Sequence, residues 1–342
     1  MKQRRRWVHV LACACVLAVM VYAAPANAVG TSFTVVVLPD TQRYTDANAP
    51  ATQAQTFKQQ TEWIKDNIAA QNIVFATHEG DLVQNGAQFP VEWQRADAAM
   101  DVLDGVVPYS VVIGNRDFDE PNEFASGTGS YTQYFGPQRY AGRTWFGGAS
   151  ANGRNTYQLF NGGGWRFLHL APEYEVPDAA ITWAQQVIDQ HRRVPTIVTT
   201  HAYQSDAEAG RSAPARYHNN GDRIWQKLVK RNKQIFMVLN GHFCKVDGER
   251  HQVSTNDAGQ PVFEMVANYQ AHANGGNGYL RLLRFEPALN RIRVLTYSPT
   301  RNNFVDDGDS AFSLGDDFGE RFGPPVPLRQ QIRLPLLRTA PR

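Results

Sequence analysis

The chain has 342 residues, 42% of them hydrophobic and 19% charged, and its 34 Lys and Arg nearly balance 32 Asp and Glu for a formal net charge of +2. That balance excludes a general nucleic-acid binder, which needs a strongly basic surface. Three cysteines in a chain of this length exclude a small disulfide-stapled scaffold, so stability must come from a buried core.

Met1-Lys2-Gln3-Arg4-Arg5-Arg6 opens the chain, an apolar run follows over residues 7–24, and Ala26-Asn27-Ala28 closes it. A basic start, an apolar stretch and a small-residue site are the parts of a secretory signal. Residues 1–28 are therefore expected to be removed near Ala28 and the remainder exported to a periplasm, an envelope or the medium. A retained anchor is the other reading, since the run approaches spanning length. Cleavage takes Lys2, Arg4, Arg5 and Arg6 and no acid, which turns the charge from +2 to −2. It also removes Cys13 and Cys15, leaving Cys244 with no intrachain partner. No later segment is apolar enough to span a bilayer.

Apolar, β-branched stretches at 33–38, 73–76, 109–113, 196–199 and 235–239 read as buried strands. Between them, Phe57, Thr61, Ile64 and Ile68 fall on one helical face, as do Ile181, Ala184, Ile188 and His191. Asn161-Gly162-Gly163-Gly164 joins two apolar segments as a hairpin. Residues 118–153 and 202–221 are polar and aperiodic, as long loops beside a site often are. Further strands are expected at 261–267, 279–285 and 291–297, and a Pro- and Arg-rich tail from 319 to 342 is expected to be extended or disordered. Alternating strands and helices imply an α/β layered fold.

Each of the five motif strands ends in a short polar motif: Asp40-Thr41-Gln42, Gly80-Asp81, Gly114-Asn115-Arg116-Asp117, His201 and Gly241-His242-Phe243-Cys244. Carboxylate, carboxamide and neutral imidazole are donors that divalent cations accept. Strand ends along one sheet edge would bring them together.

The order and spacing of these motifs resemble the calcineurin-like metallophosphoesterases, whose usual pattern is Asp-x-His, Gly-Asp, Gly-Asn-His-Asp/Glu, a lone His and Gly-His-x-His. The resemblance implies a four-layer α-β-β-α sandwich of two mixed β-sheets flanked by helices, spanning residues 29–318, with the strands at 261–267, 279–285 and 291–297 in its second sheet. It also implies two divalent ions of the zinc, iron or manganese type. Carried over by motif, Asp81 bridges the ions, and Asn115, His201 and His242 complete one site. The other site draws on Asp40, Asp81, Gln42 and Cys244, where Gln42 and Cys244 stand in place of histidines. A Gln carbonyl oxygen can bind a cation and a Cys thiolate prefers zinc or iron, so this site either survives with altered preference or is weak. For Cys244, a small buried apolar residue is the alternative.

Arg116 departs further, because the family's histidine there is thought to protonate the leaving group or hold phosphoryl oxygens. Arg delivers no proton but donates two hydrogen bonds to a phosphate. Its alternatives are an outward turn into solvent or a pair with Asp117 or Asp119. Asp117 is otherwise expected behind the site, and His78 is expected either to orient Asp81 as a donor or to be a satisfied core histidine. Tyr44, Tyr203, Tyr217 and His218, with Arg143, Arg154, Arg211 and Arg216, are the remaining candidates for substrate contact.

With Asp81, Asn115 and Arg116 as the catalytic set, the expected reaction is hydrolysis of a small-molecule or surface phosphomonoester or phosphodiester by a metal-bound hydroxide. The alternative, prompted by Gln42, Arg116 and Cys244, is an impaired pseudoenzyme that binds metal and a ligand on the same scaffold.

Overall fold

The structure, a computed structural model, describes residues 30–207 and 221–325. The expected signal segment, Arg211, Arg216, Tyr217, His218 and residues 326–342 lie outside the described residues. In chain order the strands are β1 (Phe33–Leu38), β2 (Ile73–His78), β3 (Tyr109–Val111), β4 (Phe146–Ala149), β5 (Thr156–Gly162), β6 (Trp165–Ala171) and β7 (Thr196–Thr199). They continue as β8 (Ile235–Asn240), β9 (Glu249–Thr255), β10 (Pro261–Ala267), β11 (Leu280–Glu286), β12 (Arg291–Ser298), β13 (Asn303–Val305) and β14 (Ala311–Gly315). One sheet runs β13-β12-β11-β1-β2-β3 with β14 also on β12, and the other runs β4-β5-β6-β7-β8-β10-β9.

β1 shows why the motif strands read as unbroken apolar runs. All six residues are buried, and side chains alternate between the two faces of a strand. Phe33, Val35 and Val37 join the core between the sheets, which also holds Phe75, Phe167, Phe236 and Phe285. Val36 and Leu38 join the core under helices Thr56–Gln71 and Pro90–Met100, with Phe57, Ile64 and Trp93. A third core lies under helix Asp178–Gln190, where Ile181, Ala184 and Ile188 pack on Leu168 and Val198. Helices, sheet, sheet and helices are thus the four layers expected. The glycine hairpin also forms: Gly162 pairs with Trp165, leaving a two-residue turn whose Gly163 and Gly164 both have positive φ, 59° and 95°, as the tightest hairpin turns require.

Three expectations change. The motif strands do not share one sheet: β1, β2 and β3 are parallel neighbours in the first, while β7 and β8 are parallel neighbours in the second. The last three expected strands do not together build the second sheet either. β10 pairs β8, but β11 runs antiparallel to β1, with Phe33 opposite Phe285 and their rings stacked at 4.6 Å, and β12 pairs β11. A strand buried on both faces has the same apolar pattern in either sheet, so pattern leaves the partner open. Finally, residues 319–322 are not extended: Phe318–Phe322 is a helical turn capped by the Asp317 carboxylate, which accepts the Glu320 N–H. Phe318 and Phe322 lie 5.1 and 5.9 Å from the Phe236 ring, so two aromatics four residues apart hold that turn to the core.

One buried ion pair ties the sheets together. Glu249 on β9 accepts from Arg281 on β11, from the Tyr269 hydroxyl at 2.6 Å and from Thr296 Oγ1 at 2.7 Å. Arg281 is 1% exposed, so Glu249→Ala leaves a buried cation uncompensated. The expected loss is about 3–5 kcal/mol, read as a lower urea midpoint with an unchanged slope. Among the described residues no helix is long and apolar enough to cross a membrane.

Candidate metal centre

Asp40 lies two residues beyond β1, Asp81 three beyond β2, Asn115 four beyond β3, His201 two beyond β7 and His242 two beyond β8. All five leave the carboxyl ends of parallel strands, and the two sheets bring those ends to one rim. Asp81 and His242 both hold left-handed backbone, φ 55° and 67°, which costs a branched or bulky residue on the order of 1 kcal/mol and tends to mark functional positions. The motif glycines make room for the carboxylates. A Cβ on Gly114 would collide with Asp81 Oδ1, and one on Gly241 with Asp40 Oδ1.

Four donor atoms converge from both sheets. Asn115 Oδ1 lies 2.9 Å from His201 Nε2 and 2.8 Å from His242 Nδ1. His201 Nε2 is 3.1 Å from His242 Nδ1 and 3.3 Å from Asp81 Oδ1. The hydrogens on the far sides are already committed: His201 Nδ1 faces the Glu79 carbonyl at 2.8 Å, and Asn115 Nδ2 donates to Asn122 Oδ1 at 2.7 Å. Neutral His201 therefore points a bare lone pair at other lone pairs. Only a proton or a cation between them makes such a cluster favourable. Burial pulls His201 down, but Asp81 and Asp40 pull harder and hold it at about 10; burial raises Asp81, yet His201, His242 and the Arg116 N–H bring it below the usual carboxylate range. Two imidazoles, a carboxamide oxygen and a carboxylate fit a borderline divalent ion.

Asp40 is held differently. Its carboxylate accepts the His242 N–H at 3.1 Å, Asn268 Nδ2 at 2.8 Å and Gln270 Nε2 at 3.3 Å. Burial, opposed by His201, raises its carboxyl well above the ordinary range. Gln42, 1% exposed, donates through Nε2 to Asp81 Oδ2 at 3.1 Å and to Gln270 Oε1 at 2.6 Å. Cys244 is half-buried, and burial together with Asp40 and Asp206 pushes its thiol up to about 11. The ligand atoms of Asp81, His201 and His242 lie within 4.8 Å of one another; among the described residues neither Asp40 nor Cys244 joins such a group.

Asp117 is fully buried between the two loops. Oδ1 accepts the Leu82 and Val83 N–H groups at 2.8 and 3.2 Å and Oδ2 accepts that of Gly114 at 2.8 Å, so one carboxylate ties the loop after β2 to the loop after β3. His78 does not bond to Asp81. Its Nδ1 accepts the Gly80 N–H at 3.1 Å and its Nε2 meets Thr41 Oγ1 at 2.9 Å, so it braces the turn that presents Asp81. Burial keeps it neutral, with its pKa near 3.

The Arg116 N–H donates to Asp81 Oδ1 at 2.8 Å, while its guanidinium makes no hydrogen bond or ion pair among the described residues. Asp117 is occupied as above, and Asp119 accepts the Gly129 and Ser130 N–H groups at 2.8 and 3.0 Å; neither pairs with Arg116. Tyr44 and Tyr203 are fully buried and Arg154 is paired with Glu173 at 3.5 Å, so these three belong to the scaffold. Residues the motifs do not announce complete the rim: Asn122, Asn268, Gln270, and Tyr174, whose ring lies 5.4 Å from His201 and 5.5 Å from His242. Asn268 and Gln270 follow β10, which runs parallel to β8, so position past the carboxyl end of a parallel strand was the available signal.

A model of the calcineurin-like phosphoesterase family matches residues 33–246. The uncharacterized protein YvnB of Bacillus subtilis (strain 168) is 34% identical over 274 residues, covering 78% of this chain and 20% of YvnB. The chain therefore spans about a fifth of that relative's length. A purple acid phosphatase from yellow lupin (Lupinus luteus) seeds superposes with a TM-score of 0.55 over 84% of this chain and 55% of its own, at 14% identity. That likeness is one of fold.

Proposed function

The chain belongs to the calcineurin-like phosphoesterase family, and from that premise we propose that it hydrolyses a phosphomonoester or phosphodiester with a divalent cation held by Asp81, Asn115, His201 and His242. The observation that carries this reading is the convergence of four donor atoms at 2.8 to 3.3 Å, with His201 and Asn115 oriented from behind. A divalent ion bound there would lower the pKa of a water and neutralise phosphoryl charge. The chain supplies orientation and charge. Asp117 and His78 fix the two ligand loops, and the Arg116 guanidinium, unpaired among the described residues, offers a fork of donors to phosphoryl oxygens. The Tyr174 ring walls one side of the two imidazoles and limits water there.

The alternative, a ligand-binding protein on the same scaffold, is favoured by Gln42, Arg116 and Cys244. A panel of aryl and alkyl phosphate mono- and diesters separates the two, using protein purified from the full chain, stripped with chelator and reloaded. Turnover of at least one aryl ester that returns only with a divalent ion is expected. Tight metal binding without turnover on any ester favours the alternative. The reading includes export with cleavage after Ala28; amino-terminal sequencing of the exported protein is expected to start at Val29.

A further inference from the structure

An exposed phenylalanine stands near the rim of the donor cluster, and its surroundings hold it in place. Phe124 is 45% exposed and opens the short turn Phe124–Ser126. A single exposed apolar ring is ordinary on a protein surface; this one is set on a stack that leads to the imidazoles. Its ring lies nearly parallel to that of Tyr174, with centroids 5.5 Å apart and planes at 18°, and meets the buried Phe118 ring edge-on at 5.1 Å. Tyr174 in turn lies 5.4 Å from His201 and 5.5 Å from His242. Two ring contacts therefore separate Phe124 from the imidazoles, a span that a phosphoester can cover when its ring stands a few bonds from phosphorus. The loop under Phe124 is anchored to a donor residue. Asn122, at φ 69°, returns its N–H to the Asn115 carbonyl at 2.8 Å and accepts Asn115 Nδ2 at 2.7 Å. Ser126 Oγ accepts the Glu120 N–H at 2.9 Å and donates to the Glu123 carbonyl at 2.7 Å. The ring is thus positioned before a substrate arrives, which lowers the ordering cost of binding.

We propose that Phe124, backed by Tyr174, is a specificity-determining residue that stacks on an aromatic ring in the alcohol portion of the phosphoester, so that the site prefers an aryl-bearing ester to a saturated one of the same size. Aromatic rings attract one another in offset-stacked or edge-to-face arrangements, beyond the apolar area they bury. Phe124 has Tyr174 against one face and Phe118 at its edge, and the remaining ring surface is open to a ligand. Arg116 and Phe124 leave the same loop, which then holds the substrate at both ends, the phosphoryl oxygens by a guanidinium and the alcohol by a ring. This preference deepens the reading of the donor cluster as a phosphoester site and rests on it.

The test compares 2-phenylethyl phosphate with 2-cyclohexylethyl phosphate, whose alcohols match in leaving-group basicity and size and differ in flatness, so that position 116 acts on both alike. With full-length protein reloaded with a divalent ion, wild type is expected to show a KM about 3- to 10-fold lower for the phenyl ester. Phe124→Leu, which keeps apolar bulk and removes the aromatic face, is expected to close that gap through KM with metal content unchanged, and Phe124→Trp to keep it. The gap is read a second time as Kd, by calorimetry with 2-phenylethylphosphonate and 2-cyclohexylethylphosphonate, which carry no ester to cleave. Equal KM and Kd values for the two rings in wild type, a gap that persists in Phe124→Leu, or a loss in that variant confined to kcat overturns the proposal. A Phe124-dependent gap in Kd without turnover of any ester sustains it and overturns hydrolysis instead. Binding of neither phosphonate together with turnover of neither ester overturns both.

Discussion

His242→Ala is expected to abolish tight binding of one divalent ion and to lower aryl phosphate hydrolysis on the order of 10³-fold. The side chain supplies Nδ1, 2.8 Å from Asn115 Oδ1 and 3.1 Å from His201 Nε2. Its loss removes a donor from the middle of the cluster. The fold should survive, because Asp40 holds residue 242 through its backbone N–H, which alanine keeps; alanine at φ 67° costs about 1 kcal/mol. Elemental analysis and circular dichroism of the variant check the two halves of this expectation. Full metal content with lost activity would show that His242 acts on substrate instead of on the ion.

Arg116 gives the second large effect. No proton donor stands at that position, so hydrolysis is expected to depend steeply on the pKa of the leaving group, with aryl esters cleaved far faster than alkyl esters. Arg116→His supplies an acid and is expected to raise alkyl ester turnover ~10²-fold or more, with little change for aryl esters that leave unaided. Arg116→Ala removes charge without adding an acid and should slow both substrates alike. Rates for one aryl and one alkyl phosphate in the three proteins decide it. Equal gains on both esters in Arg116→His would assign position 116 to charge or positioning, and no change in any variant would place it outside the site.

Much of this site was legible because a strand buried on both faces reads as an unbroken apolar run, and a polar motif directly after such a run stands out. The positions of β1 and β7 follow from that pattern to the residue. Their sheets do not. Whether the run at 280–286 pairs β1 or β8 depends on cross-strand packing such as Phe33 on Phe285, which acts between residues some 250 positions apart in sequence. Asp117 was legible through its motif, but its task, joining two loops through three backbone N–H groups, required coordinates. His78 shows the same gap in a different form. The sequence placed it beside Asp81, and tertiary structure turned its ring to the Gly80 N–H and Thr41. Gln270 and Asn268 were silent because carboxamides after a strand are common in any loop; only their hydrogen bonds to Gln42 and Asp40 single them out.

The proposed hydrolysis requires a cation at the donor cluster on the rim of the two sheets. An anomalous difference map from crystals grown with Mn2+, recorded where manganese scatters anomalously, tests that most directly. The expected result is a peak about 2.0–2.3 Å from Asp81 Oδ1, Asn115 Oδ1, His201 Nε2 and His242 Nδ1. Anomalous density only elsewhere on the protein, with these four side chains still in mutual contact, would contradict it.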